Sequence, residues 1–330
     1  MNATLTRRAV LKLLGGLSAL SIVPAGLSAC TGGGSGSQGQ GGGSRKIGVL
    51  QLTEHPALDA SNKGFVDALD EAGITYNIDQ QNAQNDQSAC QTIAHKLVND
   101  GNDLILAIAT PAAQAVAGAT DEIPIIGTAI TDYAASGLVA DNDAPGGNVT
   151  GTSDLTPVEE QFDLLRKLLP NAKRVAILYC TAESNSSVQA GMAHDAASAR
   201  NLDAEDYTVS SSNEIQQVVE SMIGKVDVIY APTDNTIAAG MQTVAMVATE
   251  NKLPIICGES GMVGNGGLAT YGIDYGKLGR KAGEMAVRIL NGEAKPAEMP
   301  IEHLDVSECT LTTNEEAAKT LGIDLSVLDA

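Results

Sequence analysis

Short apolar runs alternate with longer amphipathic segments along the first half of this chain. Strands are predicted where the runs are rich in β-branched residues, at 46–52, 75–79, 103–109 and 124–129. Helices are predicted between them, where apolar residues recur at helical spacing, as in Phe65, Val66, Leu69 and Ala72, and in Ile93, Ala94, Leu97 and Val98. A strand followed by a helix, repeated along the chain, is typical of a parallel sheet covered by helices.

The second half repeats this order. Strands are predicted at 174–180, 206–209, 226–230 and 254–257, with helices near 156–169, 186–201, 213–223 and 236–250. Pro124-Ile125-Ile126 returns as Pro254-Ile255-Ile256, and the run 103–106 resembles the run 227–230 in pattern and place. The predicted fold class is therefore α/β, with two similar doubly wound parallel-sheet lobes. A chance echo of common strand endings is the alternative.

Two extended stretches rich in Gly and Thr, 148–154 and 267–275, separate the two sets of strands. We interpret them as crossovers between lobes. The helix after the second crossover is assigned to the first lobe by its apolar face, formed by Leu278, Ala282, Met285, Ala286 and Ile289. A last strand within 299–313 would make a third crossover. The predicted bounds are 45–154 plus 272–297 for lobe 1 and 155–271 plus 298–330 for lobe 2.

The segment before the first strand has a different composition. Residues 1–29 carry Arg7, Arg8 and Lys12, then a mostly apolar run, with no acidic residue, which predicts an export signal. The apolar run is short for a bilayer span and is broken by Gly and Pro, so a retained transmembrane anchor is the less favoured alternative. Residues 31–44 are almost only Gly, Ser and Gln, and we expect a flexible tether there.

The end of this signal carries a resemblance of its own. Leu27-Ser28-Ala29-Cys30 resembles the lipobox of bacterial lipoproteins. The run from Thr6 to Lys12 resembles a twin-arginine signal, although Val10 stands where Phe is usual, so the general secretory route stays open. These resemblances imply cleavage before Cys30, a lipid on Cys30, and an extracytoplasmic protein anchored to the cell membrane. Residues 30–44 are then the lipidated cysteine and its tether.

Charge and motifs exclude several functional classes. The formal net charge of −20 disfavours nucleic acid as a partner, because phosphate binding needs clustered Lys and Arg. Cys90, Cys180, Cys257 and Cys309 are widely spaced, which predicts neither a metal site nor a disulfide scaffold. The chain has no phosphate-binding loop and no HExxH, and the run 258–262 lacks the last Gly of the GxSxG motif. We therefore expect no cofactor, no metal and no enzymatic activity.

Four runs, in the same order, carry a family resemblance. They are Lys46 to Asp59, Ala109-Thr110-Pro111-Ala112-Ala113-Gln114, Pro232-Thr233-Asp234-Asn235 and Gly267 to Tyr275. With these runs the chain resembles the tryptophan/tyrosine-type substrate-binding proteins of ABC importers over about residues 45–325. The resemblance implies a type I periplasmic binding protein fold with three crossover strands, a ligand in the cleft, a membrane permease as partner, and uptake of amino acids with aromatic types favoured. We also expect a monomer.

Candidate ligand-binding residues follow the predicted strands, since ligands of doubly wound sheets bind beyond the carboxyl ends of the strands. On the first lobe, Thr110, Pro111 and Ala112 open a helix whose free N–H groups suit a carboxylate, and Thr128 ends the next strand. On the second lobe, Asp234 or Glu259 suits an ammonium group, because a buried carboxylate needs a cation. Each of these could instead only cap a helix or lie in a solvated loop.

Other candidates lie at the rim of the predicted cleft and at its hinge. The rim candidates are Thr53, Glu54, Glu183, Asn185, Ser186 and Asn235, and the hinge candidates are Ser153 and Asp154. The sequence thus predicts a solute receptor that closes by hinge motion around a small zwitterion. A sensor that signals through a membrane partner, or a binding protein for a nucleoside or sugar, stays as the alternative.

Overall fold

Two six-stranded sheets organise the computed structural model, which describes residues 43–328. The strands are β1 (Arg45–Gln51), β2 (Tyr76–Asn82), β3 (Leu104–Ile108), β4 (Ile125–Ile130), β5 (Val149–Ser153), β6 (Arg174–Cys180), β7 (Asp203–Val209), β8 (Val228–Ala231), β9 (Ile255–Cys257), β10 (Ala269–Gly272), β11 (Glu302–His303) and β12 (Thr310–Thr313). The helices are α1 (Pro56–Glu71), α2 (Gln87–Asn99), α3 (Thr110–Ala119), α4 (Val158–Leu168), α5 (Ser184–Ala199), α6 (Ile215–Met222), α7 (Asn235–Ala239), α8 (Met241–Glu250), α9 (Ser260–Gly264), α10 (Tyr275–Leu290) and α11 (Glu315–Leu321).

The two sheets share one strand order. The first runs β11-β5-β4-β3-β1-β2, and the second runs β12-β10-β9-β8-β6-β7. All neighbours are parallel except β12, which lies antiparallel to β10. Central strands such as β3 and β4 are buried along their whole length, which is why the sequence shows continuous apolar runs there. The predicted α/β class with two similar lobes is confirmed.

The chain passes between the sheets after β5, after β10 and after β11. The stretches interpreted as crossovers are therefore partly strands, each belonging to the sheet that the chain is leaving. One predicted bound is wrong: residues 298–330 were assigned to lobe 2, but Glu302 and His303 pair with β5 of the first sheet. The apolar face of α10 packs in the first lobe as predicted, with Leu278, Ala282 and Met285 in its core.

Glycines set two local features that matter for the cleft. Helices α1 and α10 approach closely, since a Cβ on Gly64 or Gly279 would collide with the backbone of the other helix. The helix predicted over 236–250 is two helices, α7 and α8, which meet at Gly240. A side chain at Gly240 would collide with Ile215. The break makes α7 a short element whose N-terminus faces the first lobe.

The predicted export signal and Cys30 lie outside the described residues, as does most of the tether. Within residues 43–328, no helix combines the length and the apolar character needed to cross a membrane. The four cysteines of this part are free thiols, three of them buried.

Candidate functional site

Polar side chains from both lobes converge where the carboxyl ends of the two sheets face each other. They line a narrow cavity of about 10 Å³, roughly the space of one water molecule. The lining residues are His55, Leu58, Asp154, Thr233, Asp234, Asn235, Ala238, Glu259 and Tyr275. Because the cavity lies between the lobes and is this small, the structure shows the lobes closed on each other.

Asp234 and Glu183 hold the N-terminus of α7. Asp234 accepts hydrogen bonds from the backbone N–H of Ile237 at 2.8 Å and of Cys180 at 2.6 Å, and from the Ser186 hydroxyl at 2.7 Å. Glu183 accepts from the backbone N–H groups of Asn235 and Thr236 and from both of their side chains. Burial, with the nearby Glu183 carboxylate as the second cause, raises the pKa of Asp234 well above its usual range.

Glu259 plays the same capping role for α9. Its carboxylate accepts from the backbone N–H of Gly261 at 2.5 Å and of Met262 at 2.7 Å. Burial raises the pKa of Glu259 to about 7, and the Asp154 carboxylate adds to that rise. The two acids predicted to meet an ammonium group are thus both helix caps that also line the interlobe cavity.

Asp154 lines the same cavity without capping a helix. It follows β5 at the first crossover, and its carboxylate accepts only from hydroxyls, those of Tyr275 at 2.9 Å and Thr131 at 3.2 Å. Burial raises the pKa of Asp154 to about 6, and these two hydrogen bonds partly oppose the rise. Tyr275 begins α10 directly after the second crossover, so this contact joins two of the three connections between the lobes.

His55 reaches the cavity from the first lobe. Its Nε2 lies 3.1 Å from Asn235 Oδ1, an oxygen that must accept because the Asn235 amide nitrogen donates to Glu183. The proton is thereby assigned to Nε2, which leaves Nδ1 with an acceptor lone pair. Nδ1 is buried and has no partner among the residues that the structure describes. Burial lowers the pKa of His55, so the ring is neutral at pH 7.

The polar lining of this cavity is therefore made of acceptors. Three carboxylates and the Nδ1 lone pair of His55 face the space, and the hydroxyl of Thr233 is already donated to Gln189 at 2.7 Å. No Lys or Arg of residues 43–328 lines it. A site built of acceptors with excess negative charge suits a donor-only cation such as an ammonium group.

The first lobe supplies hydroxyls and strained backbone at the ends of its strands. Thr110 begins α3, and its hydroxyl is buried without a partner in the described part of the chain. The residue before it, Ala109, has φ 83°, and Ala129 after Thr128 has φ 54°, both in the left-handed region that favours glycine. Strain of this kind concentrates at ligand sites. Thr110 lines neither of the two interlobe cavities, although Pro111 lines the second one.

The remaining predicted residues separate into buried and exposed ones. Thr53, Ala112 and Thr128 are buried, and the Thr128 hydroxyl accepts from Thr152 at 3.0 Å inside the sheet. Ser153 is half-buried and donates to the backbone oxygen of Thr131. Asn185 is buried against Thr233. Glu54 is exposed and points away from the cavity, since its neighbour His55 points in.

A second interlobe cavity of about 110 Å³ lies beside the first. At this edge Asn85 donates to the Thr236 hydroxyl at 2.9 Å, and Gln87 donates to the backbone oxygen of Ala182 at 2.5 Å. Gln114 donates to Ser184 across the same gap at 3.2 Å. The predicted site residues include neither these amides nor His55 and Tyr275. Isolated amides in polar loops carry no motif in the sequence, and only the structure shows that Gln84 and Asn85 both have positive φ, which marks an unusual loop.

Comparison with known proteins gives one consistent result. The model of the family described as ABC transporter substrate binding protein matches residues 46–327. A tyrosine-binding protein of Clostridioides difficile is 46% identical over 290 residues, covering 87% of this chain and 83% of that protein. The structure of an ABC domain in complex with L-Trp from Streptococcus pneumonia has 42% identity and a TM-score of 0.83, over 87% of this chain and 98% of that one.

An open relative helps to define the state of the lobes. A ligand-free, open substrate-binding protein with adhesive properties from Clostridium difficile is 46% identical, covering 85% of this chain and 95% of that one. Its TM-score is only 0.65, below the 0.83 of the L-Trp complex, which has lower identity. The lower score despite the higher identity agrees with closed lobes in this chain.

Proposed function

This chain belongs to the ABC transporter substrate-binding protein family, and we propose that it captures an amino acid outside the cytoplasm for import by a membrane permease. The proposed ligand is a small zwitterion, with tyrosine or tryptophan favoured. The observation that carries this is the interlobe cavity, whose free polar atoms are all acceptors and suit an ammonium group. The ligands named for two relatives above 40% identity support the aromatic class.

The carboxylate of the ligand is assigned to the first lobe. The buried, unpartnered Thr110 hydroxyl and the N-terminus of α3 offer donors there. The ammonium group is assigned to the acids of the cavity, mainly Asp154, because Asp234 and Glu259 already accept backbone N–H groups. Both charged groups of the ligand would thus be held mainly by the first lobe, with Asp234 and Glu259 of the second lobe closing the cavity, and release requires the lobes to part at the three crossovers.

Magnitudes favour a charged ligand. Burial of about 150–250 Å² of an aromatic side chain contributes roughly 4–6 kcal/mol. Micromolar affinity needs about 8 kcal/mol. Hydrogen bonds to charged groups, at about 1.5–3 kcal/mol each, supply the difference.

We further propose that Cys30 carries a lipid, that the tether links it to the lobes, and that the protein delivers its ligand to a permease. In this arrangement the closed lobes, with ligand inside, dock on the permease, and no bond of the ligand is made or broken. The lipid anchor keeps the receptor near the membrane in which the permease lies. Mass spectrometry of the mature N-terminus tests the anchor directly, since a diacylglyceryl modification of Cys30 is expected.

A thermal-shift screen of the full-length protein over the twenty amino acids tests the ligand class. Tight binding to the native state raises the melting temperature. We expect the largest shifts with L-tyrosine or L-tryptophan, and recovery of the ligand unchanged. Shifts with sugars or nucleosides only, or with no amino acid, would overturn the proposal.

A further inference from the structure

Asp154 differs from the other acids of the interlobe cavity. Asp234 and Glu259 each accept backbone N–H groups and so have a structural task, whereas Asp154 accepts only from the hydroxyls of Tyr275 and Thr131. Each of its oxygens therefore keeps an acceptor position. Asp154 is also the acid that lies on a connection between the lobes, directly after β5.

We infer that Asp154 is the specificity-determining residue for the ligand's ammonium group, and that the lobes close around a ligand without a cation only when the cavity takes up a proton. This inference rests on the proposed function and adds a rule for which ligands the closed state accepts. It predicts discrimination by charge between an amino acid and the same molecule without its amino group.

The elements around the cavity present acids to it from both lobes. Helix α1 contributes His55 at its N-terminus, with the exposed Asp59 one turn further, and α10 contributes the Tyr275 hydroxyl. The second lobe contributes Asp234 at α7, with Glu183 behind it, and Glu259 at α9. No Lys or Arg of the described residues lines the cavity, so closure brings the acids together uncompensated.

His55 also points to an ammonium group, independently of the acids. Nδ1 of His55 is buried, lines the same cavity as an acceptor, and has no partner in the part of the chain that the structure describes. An unsatisfied buried acceptor is costly, and a ligand N–H removes that cost. An ammonium group with three N–H donors can satisfy His55 and a carboxylate at once, which a neutral or anionic ligand group cannot.

Proton uptake follows from the effect of closure on the acids. We expect water to reach these carboxylates when the lobes part, whereas burial in the closed cavity raises the pKa of Asp154 to about 6, of Glu259 to about 7 and of Asp234 well above its usual range. Groups whose pKa rises on closure favour the closed state at low pH and oppose it as the pH rises through those values. A bound ammonium group supplies the positive charge that the proton would otherwise supply, so closure around an amino acid should not depend on pH in this way.

The test compares two ligand pairs by calorimetry at pH 5.5 and pH 8. The pairs are L-tyrosine with 3-(4-hydroxyphenyl)propionate, and L-tryptophan with indole-3-propionate, on the full-length protein. At pH 8 we expect the amino acid to bind with about 10- to 100-fold higher affinity than its desamino partner, in whichever pair binds. This ratio corresponds to one hydrogen bond to a charged group. At pH 5.5 the preference should fall by about tenfold, because a proton then replaces the cation.

Two variants assign the effect to Asp154. Asp154→Asn should bind the amino acid at least about tenfold more weakly than wild type at pH 8. It should bind the desamino acid no more weakly than wild type does. Its preference for the amino acid over the desamino acid should also change less between pH 5.5 and pH 8. Tyr275→Phe removes a hydrogen bond that stabilises the Asp154 carboxylate, so it should move the pH dependence upward without abolishing amino acid binding. Glu122→Gln, at an exposed acid of the same lobe before β4, is the matched control and should behave as wild type.

The outcomes separate this inference from the function on which it rests. Absence of amino acid binding by the wild type would overturn the proposed function. Amino acid binding with an equal preference at both pH values, or with an unaffected Asp154→Asn variant, would overturn the inference and leave the function standing. If Asp154→Asn does not fold, as judged by circular dichroism, the Tyr275→Phe pH profile decides.

Discussion

The two lobes share one strand order but end their strands in different chemistry. In the first lobe, β3 and β4 are followed by Thr110 and Thr131, which are hydroxyls. In the second lobe the corresponding strands β8 and β9 are followed by Asp234 and Glu259, which are acids. At these two pairs of strands the first lobe presents a hydroxyl side and the second lobe an acid side, whereas Asp154 and His55, the acceptors proposed for the ammonium group, belong to the first lobe. The difference teaches that equivalent strand ends of a repeated architecture can carry different chemistry.

The lobes also differ in what holds those side chains. Asp234 and Glu259 are held by the helices they cap, so they are positioned before any ligand arrives. On the first lobe, the Thr110 hydroxyl has no partner among the described residues, and Ala109 beside it is strained. We therefore expect substitutions on the acid side to affect stability, and those on the hydroxyl side to affect binding.

The largest expected effect is a loss of stability when an acid of the second lobe is removed. Asp234→Ala removes the acceptor of two backbone N–H groups and the Ser186 hydroxyl, all buried, and should lower the free energy of unfolding by at least about 2 kcal/mol in urea titrations. Glu54→Ala, an exposed acid on the first lobe, should change it by less than about 0.5 kcal/mol. Equal stability of both variants would contradict the capping role.

A smaller effect, about tenfold in affinity, is expected on the hydroxyl side. Thr110→Val keeps the shape of a buried side chain and removes a hydroxyl without a partner in the described structure, so unfolding should be unchanged or harder by up to about 1 kcal/mol. Amino acid binding measured by calorimetry should weaken by about tenfold, because the ligand carboxylate loses a donor.

Thr150→Val is the matched control for that variant. Its hydroxyl donates to the Met299 backbone oxygen at 2.8 Å, inside the sheet and away from the cleft. This variant should lose about 1 kcal/mol of stability and keep its affinity. Unchanged affinity in Thr110→Val would remove Thr110 from the site.

The smallest effect concerns the strained backbone. Ala109→Gly relaxes a residue at φ 83° and should raise the free energy of unfolding by up to about 1 kcal/mol, since glycine adopts this region without strain. Ala107→Gly, two residues earlier and inside β3, should instead lower the free energy of unfolding by about 1 kcal/mol. A loss of stability in both variants would show that Ala109 is not strained.

Much of the fold could be predicted from the sequence because parallel strands are buried on both faces and appear as apolar runs. Each of the eight strands predicted in the two repeated sets overlaps an observed one. The third crossover was harder to predict. Strand β11 has two residues, Glu302 and His303, without an apolar signal, and only its pairing with β5 shows which sheet it joins.

The site was predicted by position better than by role. Counting to the ends of the strands pointed to Asp234 and Glu259, because that rule depends only on topology, and Asp154 was named as a hinge residue; all three line the interlobe cavity. It could not distinguish an acid that caps a helix from one that does not, since this depends on which N–H groups lie nearby in three dimensions. His55 was passed over for Glu54 because adjacent residues of an extended segment point apart, and the sequence does not say which one points inward.

The close contact of α1 with α10 has a kinetic consequence. His55 precedes α1, and Tyr275 begins α10. The two helices pack closely at Gly64 and Gly279, and the Ser61 hydroxyl donates to the backbone oxygen of Tyr275. His55, Tyr275 and the Asp154 that Tyr275 holds would thus travel as one body when the cleft opens. An incoming solute would therefore meet the first-lobe half of the site already assembled. Capture would begin as a rapid, weak encounter with the first lobe, and closure of the second lobe would then set the residence time of the solute.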